Sequence, residues 1–130
     1  MKAKVLIVDD NVSFLHSMEF LLSGEYEVYL ASDGWEALRI AGEREIDVAL
    51  IDVRMPGMNG IETLKRLKAL SPRTEVIVIT AHGEAEAVKA ALAMGASGFL
   101  EKGFSLQELK ESIREALKRK GIDVAETRDR

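Results

Sequence analysis

A doubly wound α/β domain with a five-stranded parallel sheet is the fold this sequence predicts, on three observations. Short apolar runs alternate with longer stretches whose apolar residues recur at helical spacing, five times along the chain. The runs Lys4 to Val8, Val48 to Ile51 and Val76 to Ile79 are almost continuously apolar, as strands covered on both faces are. Four runs deliver polar residues at their C-terminal ends: Asp9 and Asp10, then Asp52, then Thr80, then Glu101 and Lys102. Open α/β sheets place their ligands at those ends. One apolar run ending in acid is compatible with chance; four ending in a complementary set are hard to explain as turn chemistry.

Taken in order, Asn11 is a good N-cap for a helix running to about Leu22. Phe14, Met18, Leu21 and Leu22 form its inward stripe, and Leu15 adds apolar surface beside them. Tyr26 to Leu30 alternates weakly, and its Glu27 and Tyr29 suit an edge strand. Ser32 or Asp33 caps a helix from about Gly34 to Gly42, with Ala37, Leu38 and Ala41 inward. The run Val48 to Ile51 is too short for a helix and right for a buried strand. It ends in Asp52 and meets Pro56, Gly57, Asn59 and Gly60, a dense group of turn formers. From that stretch alone, Asp52 reads equally as a ligand-site carboxylate or as the start of a turn.

Asn59 caps the next helix, with Ile61, Leu64, Leu67 and Leu70 at helical spacing, and Ser71-Pro72 stops it. After the strand to Ile79 comes an alanine-rich helix, Glu84 to Met94, closed by Gly95. A short strand spans Ser97 to Leu100. Ser105 and Glu108 form a capping box for the last helix, with Leu106, Leu109, Ile113, Ala116 and Leu117 inward and Gly121 at its end. With strand two at an edge, the strand order is 2-1-3-4-5, the flavodoxin-like (βα)5 arrangement. The switch point then falls between strands one and three, where Asp9, Asp10 and Asp52 converge.

Net charge is −4 and cysteine is absent, which argues against an extended nucleic-acid surface and excludes disulfides and thiolate metal sites. Lys118-Arg119-Lys120, the one basic cluster, sits where cations complement a helix dipole. No apolar run approaches the roughly 18 residues of a membrane span. The expectation is a cytoplasmic protein that binds neither membrane nor nucleic acid directly.

Three converging carboxylates repel one another and favour a bound cation. Oxygen ligands without histidine or sulfur select a hard ion, Mg²⁺ or Mn²⁺, and two or three protein ligands leave room for water and a phosphoryl oxygen. Lys102 offers a fixed positive charge and Thr80 a hydroxyl donor. This set suits phosphoryl transfer with Asp52 as the nucleophile. Taken singly, Lys102 reads as well as a salt bridge to Glu101, and Thr80 as a strand-end cap.

The motifs Val8-Asp9-Asp10, Ile51-Asp52 with Met55-Pro56-Gly57-Met58-Asn59-Gly60, Ile79-Thr80-Ala81 and Phe99-Leu100-Glu101-Lys102 together resemble the receiver domain of two-component response regulators. The resemblance covers about residues 3–120, assigning 1–120 to the receiver and 121–130 to a charged tail or linker stub. It implies a phosphorylation-dependent signalling switch in which Asp52 accepts phosphate from a sensor histidine kinase or a phosphotransfer protein. It implies Mg²⁺ held by Asp10, Asp52 and the backbone carbonyl of Arg54, with Asp9 assisting directly or through water. Thr80 and Lys102 would contact the phosphoryl group, and Phe99 would be the rotating aromatic of the switch. The output face would be helix 4, strand 5 and helix 5, which also offers a homodimer surface. Phe14 and Leu15, beside the acid cluster, are candidates for docking a partner. Such a protein is a slowly self-dephosphorylating phosphoacceptor, not a turnover enzyme.

The sequence departs from the family at Gly103, where proline with a cis peptide is usual. Glycine there predicts a trans Lys102–Gly103 bond and a loop that still aims Lys102 at Asp52. Two other functions remain in view. One is a degenerate receiver acting as a docking module, against which the complete acceptor set argues. The other is a phosphatase of haloacid-dehalogenase type, which would want a second aspartate where Asn11 stands.

Overall fold

The computed structural model describes residues 2–121. Its strands are β1 (Lys4–Val8), β2 (Glu27–Ala31), β3 (Val48–Asp52), β4 (Glu75–Thr80) and β5 (Gly98–Glu101). They alternate with helices α1 (Val12–Leu22), α2 (Gly34–Glu43), α3 (Gly60–Leu70), α4 (Ala85–Ala93) and α5 (Leu106–Arg119). All pairings are parallel and the order is β2-β1-β3-β4-β5, as the sequence predicts. The expected charged tail, residues 122–130, lies outside the described residues.

The alternation of side chains along each strand divides the core into two layers. Leu6, Val8, Ala49, Ile51, Val76 and Val78 face α2, α3 and α4. Val5, Ile7, Val48, Leu50, Ile77 and Ile79 face α1 and α5. β1 and β3 are buried along almost their whole length, whereas β2 and β5 are edges with exposed positions. Most helices begin where a short polar side chain accepts a backbone N–H: Asn11 from Phe14, Asp33 from Glu36, Asn59 from Glu62, and Ser105 from Glu108 in a complete capping box. α4 has no side-chain cap, and Ala91 is its one buried residue.

Several inward faces differ from expectation. Leu15, Met18 and Leu22 form the buried stripe of α1, an i, i+3, i+7 set, while Leu21 is exposed and Phe14 half-buried at the stripe's edge. Leu15 is only 4% exposed, so the expectation that it docks a partner is corrected. The first helix carries more apolar residues than one stripe needs; Met18 and Leu22 face inward as expected, but Leu15 joins them in place of Leu21. In α2, Ile40 is buried with the expected Ala37 and Ala41, while Leu38 is only partly buried against the same layer; Leu70 and Leu106, at helix ends, are exposed.

If Leu15 belongs to the core, Leu15→Ala destabilises the fold by about 2–5 kcal/mol. Urea unfolding measures this; a loss within about 0.5 kcal/mol would return Leu15 to the surface.

Candidate functional site

The chain leaves β1 towards β2 on one side and is flanked by β3 on the other, which opens a crevice at their C-terminal ends. Parallel register sets Val8 beside Ile51, so Asp9 follows one strand where Asp52 ends the other. One carboxylate oxygen from each of Asp9, Asp10 and Asp52 lies within 4.8 Å of the others. Asp10 is exposed, but Asp9 and Asp52 are 1% and 3% exposed. Asp9 Oδ1 accepts the Asn11 N–H at 2.8 Å, while its Oδ2 is buried without a hydrogen-bond partner among the described residues. A buried carboxylate oxygen left unpaired is costly. Beside two further carboxylates it fits a hard divalent cation, so the donor set present suits Mg²⁺ or Mn²⁺.

Asp52 Oδ1 accepts the Arg54 N–H at 3.2 Å, and Oδ2 lies 3.6 Å from the Lys102 ammonium. Burial pushes the Asp52 carboxyl above its ordinary pKa; the charges of Asp9 and Asp10 add to this, and the Arg54 N–H and Lys102 oppose it. The turn after Asp52 depends on Gly60. A Cβ there would lie 2.1 Å from the Asp52 carbonyl oxygen, and the Gly60 N–H donates to Val53 O at 2.9 Å. Only glycine lets α3 begin this close beneath the carboxylate-bearing strand end.

Thr80, the last residue of β4, is buried, and its carbonyl accepts the Lys102 N–H at 2.8 Å. That bond ties the lysine's backbone to the neighbouring strand end. The peptide bonds of the described residues are all trans, including Lys102–Gly103, and Gly103 adopts φ 99°. Glu101 pairs with His82 at 3.1 Å and leaves Lys102 to face Asp52. Thus Asp9, Asp10, Asp52 and Lys102 are brought together, with Thr80 at the adjoining strand end. Phe99 lies away on edge strand β5, 45% exposed.

Two participants escaped the sequence. Glu84, read only as a helix start, accepts the Ala81 N–H at 2.7 Å and an ion pair from the Arg54 guanidinium. The Ala81 N–H leads in holding its carboxyl below the ordinary value. It therefore links the loop after Asp52 to the loop before α4; its spacing of three from Ala81 was the available signal. Phe104 meets Phe14 edge to face, with centroids 6.5 Å apart.

A family model described as the response regulator receiver domain matches residues 5–114. The chain belongs to this family. It is 40% identical over 124 residues to the transcriptional regulatory protein ZraR of Escherichia coli O157:H7, covering 95% of this chain and 28% of ZraR. It therefore spans little more than a quarter of that relative's length. The sporulation initiation phosphotransferase F of Bacillus subtilis is 33% identical, covering 90% of this chain and 95% of its own. A response regulator receiver domain protein from Clostridium thermocellum superposes with a TM-score of 0.87 at 36% identity, covering 92% and 97% of the two chains. The receiver fold and its strand order are thus those the sequence led us to expect.

A raised carboxyl pKa means the folded state of this receiver holds a proton that the unfolded chain has already released. Stability therefore falls as pH rises from the ordinary carboxylate value, about 3.9, through the raised folded value, and stays lost above it. Asp52→Asn should melt higher than the native chain near neutral pH without divalent cations. The gap should close as pH falls through that window. Equal melting temperatures at neutral pH would remove the electrostatic strain assigned to Asp52.

Proposed function

We propose that this receiver is a phosphorylation-dependent switch whose acceptor is Asp52. The observation that carries the reading is the buried Asp52 carboxylate, its Oδ2 facing Lys102 at 3.6 Å and its neighbour Asp9 holding an unpaired oxygen. In the proposed step an Asp52 oxygen attacks the phosphorus of a phosphohistidine on a sensor histidine kinase or phosphotransfer protein. The new O–P bond forms as the P–N bond breaks, and the electron pair returns to the donor imidazole. Lys102 faces the incoming phosphoryl oxygens with positive charge, and the Thr80 hydroxyl donates to one of them. Asp9, Asp10, Asp52 and the Arg54 carbonyl would hold Mg²⁺, which neutralises charge on the carboxylates and on the phosphoryl group.

The acceptor returns slowly to its free form and turns over no separate substrate. The domain takes residues 1–120 and leaves 121–130 as tail or linker. The reading places the chain in the cytoplasm with its donor; among the described residues no helix is long and apolar enough to cross a membrane. Phe14, half-buried near the acid cluster, remains a docking candidate for that donor. Output runs through α4, β5 and α5, with Thr80 and Phe99 as the switch pair, and the same face serves for a homodimer. Its support is the sparse anchoring of α4 and the exposure of Leu92, Met94 and Phe99. With a net charge of −4, this domain does not bind nucleic acid directly on this reading.

Incubation with acetyl phosphate and Mg²⁺ should give one acid-stable, base-labile phosphate per chain. Asp52→Asn should abolish it, and Asp10→Ala should weaken Mg²⁺ binding by roughly tenfold or more. Full labelling of the Asn variant would refute the assignment.

Phosphorylation should also change hydrogen exchange more over residues 81–104 than over residues 59–70, because segments that move come from the least stable parts of a fold. The opposite ranking, read by mass spectrometry, would move the output elsewhere.

A further inference from the structure

Lys102 carries the cation of the proposed site on a long, flexible side chain that is half exposed. The residue after it confines little: Gly103 sits at φ 99°, and a Cβ there would meet nothing within 4 Å. The backbone is held by the bond from Lys102 N–H to Thr80 O, but that bond does not aim the ammonium. Asp52 lies 3.6 Å from the ammonium and the ring centroid of Phe14 lies 6.0 Å from Nζ; Glu84, already engaged by the Ala81 N–H and Arg54, also feels the charge. The nearest alternative carboxylate in sequence, Glu101, is paired with His82.

Phe14 is itself braced. Phe104 meets it with ring planes 83° apart, a preferred aromatic geometry. Both rings are packed against the buried layer between α1, α5 and the sheet. The Phe104 N–H donates to Glu101 O at 3.1 Å, which closes the turn around Lys102 and Gly103. Phe104 of this short turn thus braces Phe14 of α1, whose ring lies beside the ammonium.

We propose that Phe14 is a positioning residue for Lys102: its ring holds the ammonium over the end of β3, and Phe104 braces the ring. The inference rests on the reading of Asp52 as acceptor and Lys102 as its cation. An aromatic face suits the task because it attracts a cation without neutralising it or accepting its N–H bonds. A second carboxylate would hold Lys102 more tightly, but it would spend the charge that the phosphoryl oxygens need and add to the repulsion around Asp52.

The test compares rates of labelling by acetyl phosphate with Mg²⁺ for the native chain, Phe14→Leu and Phe14→Trp, each also in a Lys102→Met background. Phe14→Leu keeps an apolar side chain but loses the ring face; it should label about three- to tenfold more slowly. Phe14→Trp should stay within about twofold of the native rate. In the Lys102→Met background the Leu substitution should add no further slowing. Thermal melts accompany each variant; if Phe14→Leu does not fold, Phe104→Leu takes its place, with slowing again expected only when Lys102 is present. A Leu variant at the native rate overturns the proposal, as does a Trp variant as slow as Leu or equal slowing in both backgrounds. Slowing confined to transfer from a phosphohistidine protein would make Phe14 a docking residue instead. A native chain that takes no label defeats the reading of Asp52 itself, an outcome distinct from all of these.

Discussion

The crowding of Asp9, Asp10 and Asp52 at one sheet end is the constraint on which the rest of the structure depends. Two of these carboxylates are buried, and like charges in a medium of low dielectric repel more strongly than in water. Left to themselves they would part. The β1–β3 register holds them, and that register has little freedom. A slip by one residue would turn Leu6 and Val8 away from α2 and α3 and set them against α1 and α5. The apolar packing of two central strands therefore sustains an electrostatic arrangement that is unfavourable in isolation. The raised Asp52 pKa comes first from burial, with the charges of Asp9 and Asp10 adding to it. A divalent cation or a phosphoryl group with its counter-charges, as proposed, would act on a site already under that tension.

The molecule is uneven in how firmly it holds the groups around this cluster. On the β1 and β3 side, strands are buried and helices begin with side-chain caps. On the other side, α4 lacks such a cap and β5 is an edge with an exposed phenylalanine. Glu84 joins the two sides. It takes the Ala81 N–H and the Arg54 guanidinium, so the loop after Asp52 and the loop before α4 share one carboxylate. This link and the bond from Lys102 N–H to Thr80 O are the direct connections from the site to that half on which the proposed switch would draw.

Much of this was legible in the sequence, for identifiable reasons. Strands covered on both faces leave continuous apolar runs, and short polar caps are read three residues ahead, so the elements and their order follow from Asn11, Asn59 and Ser105 as much as from the apolar pattern. Asp9, Asp10, Asp52, Thr80 and Lys102 were legible because each stands where a strand ends. Helix faces were less so. Where apolar residues outnumber one stripe, as in α1, periodicity does not say which subset faces inward, and Leu15 went to the core while Leu21 did not. Leu70 and Leu106 are the end residues of α3 and α5, and both are exposed. The turn-former reading of Gly60 was correct in kind but missed its reason, the close approach to the Asp52 carbonyl, since that contact is made only after α3 packs. The Glu84 bond to Ala81 was within local reach, but its pairing with Arg54 and the contact of Phe104 with Phe14 are tertiary and no local pattern names them.

The division between firm and soft halves bears on how such a site could signal. A phosphoryl group brings roughly two negative charges at neutral pH. The firm side cannot move to accommodate them without breaking the register that holds the carboxylates together. Adjustment must therefore come from groups attached by few contacts: the Lys102 side chain, the turn at Gly103, and the uncapped start of α4. On the proposed reading, Lys102 would be drawn to the new charge while its ammonium lies beside the braced ring of Phe14. Its N–H bond to Thr80 O ties its backbone to the end of β4, from which α4 departs. The position left open by Gly103 is thus one where freedom costs the fold little, because the central strands β1, β3 and β4 are the buried ones and β5 is an edge, and on the proposed reading a small displacement there would act on α4, which buries one residue.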